Sequence, residues 1–252
     1  MTDRALTFGS AAAAYERFRL GYPDEVADAI LEYAGAPVRT ALEIGAGTGK
    51  ATRLFVTRGI VVTATDPDAA MLAELRRHVD PQPTTRQAAF EDLVPPPTYD
   101  LVYVAAALHW TSDNGRWPRM AGLLTPKGVF AGIGGPVRLA DPELEHAVAA
   151  ARAPWLADDD VPSPDGTPAS SILQWPATEL QRSDEFGDVR QVVLERRLTI
   201  PADRYVGILS TVSAYLQLPA RDRGQALEAV RGALPPEVGL VADVHLHLAR
   251  RA

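Results

Sequence analysis

Two acids flank a run of alternating glycines early in the chain. The stretch TALEIGAGTGKATRLFVTRGIVVTATD, residues 40–66, places Glu43 before Gly45, Gly47 and Gly49 and ends on Asp66. Glycine permits positive φ and lets a ligand approach the backbone without meeting a Cβ. An acid closing the second strand of such a unit can accept from both ribose hydroxyls of an adenosine. Asp66 lies close to the roughly 20-residue spacing expected of that acid. A dinucleotide fingerprint reads G-x-G-x-x-G and holds a pyrophosphate at a helix N-terminus. Here the spacing is G-x-G-x-G, and a carboxylate stands two residues before the first glycine. Beside the phosphate path it repels a diphosphate and suits a ligand with an ammonium group and no phosphate.

These residues need a strand, a loop, a helix and a second strand to position them. Leu42 and Ile44 sit on an apolar run that reads as a buried strand. Lys50 to Arg58 reads as a helix, with Ala51, Leu54, Phe55 and Arg58 on one face. Gly59 stops it, and β-branched Ile60 to Thr65 reads as the second strand. The unit is strand, glycine loop, helix, strand, acid, which is a nucleotide-binding βαβ pattern.

LEIGAGTGK resembles the first motif of the class I S-adenosylmethionine-dependent methyltransferases. The resemblance implies S-adenosyl-L-methionine as cofactor, with S-adenosyl-L-homocysteine as product. It also implies cofactor contacts from Glu43, Gly45, Ala46, Gly47, Thr48, Gly49, Asp66 and Pro67. In that family a loop after the third strand meets the adenine, with an acid or amide beside a backbone donor. Here the corresponding AAFEDL has Ala89 and Phe90 at the polar position. A backbone contact and ring stacking from Phe90 is one reading; a core Phe90 is the other. YDLVYVAAALHW, residues 99–110, resembles the fourth motif, with Ala105 and Ala106 lining the methionine arm. His109 then stands where acceptor and methyl group meet, at the carboxyl end of a central strand. It is the candidate general base, against a structural histidine.

The N-terminal stretch carries Tyr15, Arg19, Tyr22 and Pro23 in a Y-x-x-x-R-x-x-Y-P pattern. It resembles the segment that closes the cofactor site in the trans-aconitate methyltransferase-like group of small-molecule enzymes. Tyr15, Arg19 and Tyr22 are therefore candidate contacts to the methionine carboxylate or an acidic substrate; the alternative is a surface helix capped by Ser10. Trp110 and Tyr215 are further candidates for the substrate side, with core packing as the alternative for Tyr215.

Further helices are expected over Pro23–Tyr33, after Pro67, over Asn114–Leu124 and over Pro142–Ala150. Lys127 in LTPKG is expected in a type I turn. Residues 154–176 form a polar, proline-rich excursion flanked by Trp155 and Trp175, either a substrate cover or a passive insertion. Val189 to Ile200 reads as one sixth strand and Leu240 to Leu248 as the last. His245 and His247 alternate on that strand without a third ligand, so they read as exposed edge residues and not as a metal site.

Bulk properties bound the function. The 252 residues suffice for one α/β domain with a lid. The net charge of −7 argues against nucleic acid as the default partner. There is no cysteine, hence no disulfide framework or thiolate metal site. Ala11 to Ala14 is too short for a signal-peptide core, and no apolar run reaches the roughly 18 residues of a membrane span. The cytoplasm is the default location.

The resemblance implies a Rossmann-like, doubly wound, seven-stranded, mostly parallel sheet with its final strand antiparallel and a helical lid. Residues 1–252 are expected to form one domain, with lid insertions at about 140–188 and 201–234. The implied function is in-line methyl transfer from S-adenosylmethionine to the O, N or C of a small-molecule acceptor. An NAD(P)-dependent oxidoreductase and a cofactor-binding fold member without methyl transfer are the competing readings.

Overall fold

A computed structural model describes residues 11–156, 163–168 and 170–252. Ser10, Asp158 to Asp160 and Pro162 lie outside the described residues. The chain opens with two helices, α1 (Ala12–Phe18) and α2 (Glu25–Ala34). Core strands and helices then alternate: β1 (Thr40–Ile44), α3 (Thr52–Val56), β2 (Val61–Asp66), α4 (Ala69–His78), β3 (Thr84–Gln87), β4 (Tyr99–Ala105), α5 (Arg116–Gly122) and β5 (Leu124–Gly134). Next come β6 (Arg138–Leu139), α6 (Pro142–Arg152), α7 (Ala177–Leu180), β7 (Phe186–Leu194), β8 (Arg197–Pro201), α8 (Ala202–Leu209), α9 (Ser213–Leu216) and α10 (Ala220–Gly232). The last strands are β9 (Glu237–Val241) and β10 (Val244–Arg251).

Seven strands form the main sheet in the order β3-β2-β1-β4-β5-β10-β7. β1 to β5 run parallel, and β10 lies antiparallel between β5 and β7. β4 shows why the sheet is buried on both faces. Leu101 and Tyr103 enter the core under α2, α3 and α4, while Val102 and Val104 enter the core with Trp117 and Met120 of α5. A strand covered on both sides needs the continuous apolar run that the sequence supplies. β1 and β4 are neighbours, and their chain connections leave in opposite directions, so the crevice at their carboxyl ends is the switch point where ligands bind in such folds.

The segments expected as a helical lid are not only helical. β6, β9 and β8 form a second, three-stranded antiparallel sheet. It shares a separate core with α6, α8, α9 and α10, built on Tyr205, Ile208, Tyr215, Val230 and Leu240. Two strands expected as single runs are each broken in two. Val189–Ile200 divides at Glu195 and Arg196 into β7 and β8, and the last strand divides at Ala242 and Asp243 into β9 and β10. Each half enters a different sheet. The breaks face each other: the Ala242 amide donates to the Arg196 carbonyl (2.9 Å), and the Asp243 carboxylate accepts from the Arg196 amide (2.8 Å).

Three local expectations are corrected. β10 is an interior strand, so His247 is only 5% exposed and not an edge residue. Burial, with His245 beside it, pushes its imidazole down to about 4, so it stays neutral at physiological pH. Lys127 adopts φ 63°, the left-handed region, and not a type I turn; it lies where β5 slips register against β4. Phe90 begins a 3₁₀ turn over Phe90–Asp92, and its side chain is 4% exposed, in the core with Leu42 and Ile44. That ring is therefore not free to stack on an adenine.

Candidate functional site

The glycine loop is shaped by close approach. Gly45, Gly47 and Gly49 all have positive φ, at 67°, 55° and 85°. A Cβ on Gly45 would lie 2.5 Å from the Cβ of Ala107, so only glycine lets the loop sit against the end of β4. Asp66 fixes the same loop from the side. Its two carboxylate oxygens accept from the amides of Gly47 (2.9 Å) and Asp68 (2.8 Å). It is 7% exposed, and burial pushes its carboxyl up to about 6 despite those donors. Each oxygen retains lone-pair capacity beyond the one amide it holds.

A cleft with about 790 Å³ of free space, part of it open to solvent, lies at the switch point. Its near wall is Glu43 and the loop from Gly45 to Thr48, with Lys50 and Ala51. Ala105 and Ala106, at the end of β4, form its floor, and Tyr15, Arg19 and Tyr22 of the N-terminal segment cover it. Ala106 has φ 52°, an uncommon conformation for a non-glycine residue.

Glu43 is 1% exposed, yet it lines this cleft. Thr52 at the start of α3 donates to its Oε2 (2.5 Å), and so does the phenol of Tyr103 on β4 (2.9 Å). Both donors converge on Oε2, and neither holds Oε1. Burial pushes the carboxyl up to about 8, against the pull of the two hydroxyls and with a further push from Asp66. The Tyr22 phenol is pushed up from its ordinary value by burial, then by Tyr15 and Glu43, so it remains protonated at neutral pH.

The far wall was not anticipated. Gly134, Gly135 and Val137 lie where β5 passes to β6, Arg196 where β7 passes to β8, and Ala242 and Asp243 where β9 passes to β10. All three crossings between the two sheets thus face the ligand space. Arg196 donates to the Gly21 carbonyl (2.7 Å), and Arg19 donates to the side chain (2.9 Å) and carbonyl (3.1 Å) of Thr211 in the lid. The guanidinium groups are thereby held by neutral oxygens. Lys50 donates to the carbonyl of Glu16 (2.8 Å), and Arg53 bonds the Glu16 carboxylate (2.7 Å), which ties α1 down over the loop.

Other expected residues stand apart from this cleft. His109 and Trp110 occupy a 3₁₀ turn beyond Ala107, ring against ring at 4.5 Å, and are not in the cleft wall. Tyr215 is wholly buried in the lid core. Pro67 and Ala89 are half-buried near the ends of β2 and β3, on the side of Asp66. Among the described residues no cluster of three His, Cys, Asp or Glu could hold a metal ion, and no helix is long and apolar enough to cross a membrane.

Sheet order and glycine-loop cleft together define a Rossmann-like α/β fold with its cleft at the switch point. Residues 41–128 match the family described as methyltransferase domain. The chain is 41% identical over 127 residues to an uncharacterized methyltransferase of Mycobacterium tuberculosis, covering 50% of this chain and 51% of that one. It is 33% identical over 150 residues to the trans-aconitate 2-methyltransferase of Methylobacterium radiotolerans, covering 58% and 56%. The chain thus spans about half the length of the curated relatives it matches. A solved structure of a candidate type II methyltransferase from Anaeromyxobacter dehalogenans superposes with a TM-score of 0.58 at 27% identity, over 92% of this chain and 97% of that one.

Proposed function

We propose that the protein transfers the methyl group of S-adenosylmethionine to a small-molecule acceptor. The observation that carries this reading is Glu43: a buried carboxylate that lines the glycine-loop cleft and takes both its hydroxyl donors on one oxygen, Oε2. That donor set fits a cationic amino-acid tail and disfavours a diphosphate. When bound, the cofactor supplies an electrophilic sulfonium methyl. Glu43 and the loop from Gly45 to Gly49 would hold the methionyl part, and Ala105 and Ala106 would let it lie against backbone. Asp66, with Pro67, Ala89 and the Phe90 backbone, would serve the adenosine end. Asp66 would accept from the ribose with the lone pairs its two amides leave.

Tyr15, Arg19 and Tyr22 would close the cleft and exclude water. Catalysis would come mainly from holding the reacting atoms in line. A small carboxylate acceptor is supported by Arg19 and Arg196, two cleft guanidinium groups whose hydrogen-bond partners are neutral oxygens. Such an acceptor needs no base, which suits a cleft whose wall does not include His109. The cytoplasmic location belongs to the same proposal and is checked by cell fractionation.

The test is an acceptor screen. Pools of small carboxylates, phenols and amines are incubated with methyl-labelled cofactor and read by mass. A labelled product with one added methyl group is the expected result. Absence of transfer to every pool, with the cofactor bound, would favour a binding protein instead.

A further inference from the structure

Tyr103 and Thr52 are not in the cleft wall, but both end on one oxygen of Glu43, which is in it. Tyr103 is opposite Glu43 in the β1–β4 register and is 0% exposed, its ring 4.4 Å from that of Phe55. Thr52 is 0% exposed at the start of α3. One comes from the strand beside Glu43 and the other from the helix above it. Their hydroxyls meet at Oε2 at 2.9 and 2.5 Å. Packing alone does not require this. Phenylalanine fills the space of a buried tyrosine ring, and valine that of a threonine.

We propose that Tyr103 and Thr52 are positioning residues for cofactor recognition: they pin Oε2 of Glu43 so that Oε1 is left to meet a cation. This deepens the methyltransferase reading and rests on it. Two donors on one oxygen favour the ionised carboxylate. Burial opposes ionisation, so without a ligand Glu43 is largely protonated below about pH 8. A docking cation then drives the proton off, and it leaves to solvent through the open cleft. The groups facing Glu43 are few. Asp66 on β2 opposes ionisation, Tyr103 on β4 donates a hydrogen bond, and Tyr22 stays neutral. Lys50 on the loop is committed to Glu16. Glu43 is therefore the group whose proton count changes when a cation enters.

The experiment is calorimetric titration of S-adenosylmethionine into the wild type, Tyr103→Phe, Thr52→Val and Glu43→Gln. Each is run from pH 6.5 to 9 in two buffers of different ionisation enthalpy, which counts protons released. The wild type should bind more tightly as pH rises towards 8 and release a fraction of a proton at pH 7. Tyr103→Phe and Thr52→Val should each bind roughly tenfold to a hundredfold more weakly at pH 7.5, the range for one hydrogen bond to a charged group. Their gain in affinity should move to higher pH. Glu43→Gln should release no proton. Folded variants with wild-type affinity, pH profile and proton release would overturn the proposal. So would a loss equal at every pH, which is the signature of packing. Thr52→Val serves if Tyr103→Phe fails to fold. A wild type that does not bind the cofactor at all would overturn the functional reading as well, and is thereby told apart from failure of the positioning role alone.

Discussion

Glu43, the residue proposed to meet the cofactor, is a buried acid whose ionisation works against the fold. Its carboxyl is held up at about 8 by burial, against an ordinary value near 4.5. Between those values the folded state holds a proton that the unfolded chain has lost. Its contribution to stability is therefore full below about pH 4.5 and is lost as pH rises through about 8. Glutamine keeps the shape and the acceptor oxygen without the titration. Apo Glu43→Gln should thus gain stability relative to wild type as pH rises from 6 to 9, by about 1–3 kcal/mol at the upper end, the scale on which a buried charge is disfavoured. Thermal melts of both proteins across that range measure the difference. A constant offset would contradict the buried, proton-holding Glu43. His247 does not confuse the comparison: its imidazole sits at about 4 and, like the other groups common to both proteins, largely cancels.

At the scale of elements, the distinctive feature is the triple crossing between sheets. Gly135 is its tightest point: with φ 137°, a Cβ there would lie 2.1 Å from the carbonyl oxygen of Asp243. Gly135→Ala must push the β5–β6 crossing away from the β9–β10 crossing. It should cost about 2–4 kcal/mol of stability, as overpacking combined with a strained φ does, and should also weaken cofactor binding, because the crossings line the cleft. Chemical denaturation and equilibrium binding read the two effects. Gly187→Ala, with nothing within 4 Å of the added methyl, is the control expected to stay near wild type.

The near wall of the cleft was legible in the sequence, because each of its parts is local. Glu43, the glycine loop and the β4 run sit in one βαβ unit and its neighbour strand, with Asp66 bracing the loop from the side, and short-range patterning reports them. The far wall was not, because its residues are brought together by pairing across long separations. Arg196 meets Ala242 and Asp243, and Arg19 meets Thr211. A signal was present in the charged Glu195-Arg196-Arg197 inside an otherwise alternating strand, and in Ala242-Asp243 inside the last one. Each polar interruption marks where a strand leaves one sheet for another. His247 was misjudged for a related reason. The alternation of β10 gives its faces, but only the sheet order tells that both are covered.

For the molecule as a whole, the two layered cores and the core around the second sheet meet at the glycine-loop cleft. The main sheet supplies the loop and floor, the crossings to the second sheet supply Arg196 and Asp243, and α1 and the segment after it close the top. In the proposed function a cation would meet Glu43 in that cleft and an anionic acceptor would meet Arg19 and Arg196. The choice between a sulfonium amino acid and a nicotinamide dinucleotide is a choice about this whole assembly. The most direct measurement is parallel calorimetric titration of the purified protein with S-adenosylmethionine and with NADH and NADPH at pH 8. Saturable one-to-one binding of S-adenosylmethionine, with no heat from either dinucleotide, is the expected result. Saturable binding of a dinucleotide with none of S-adenosylmethionine would contradict the role assigned to Glu43.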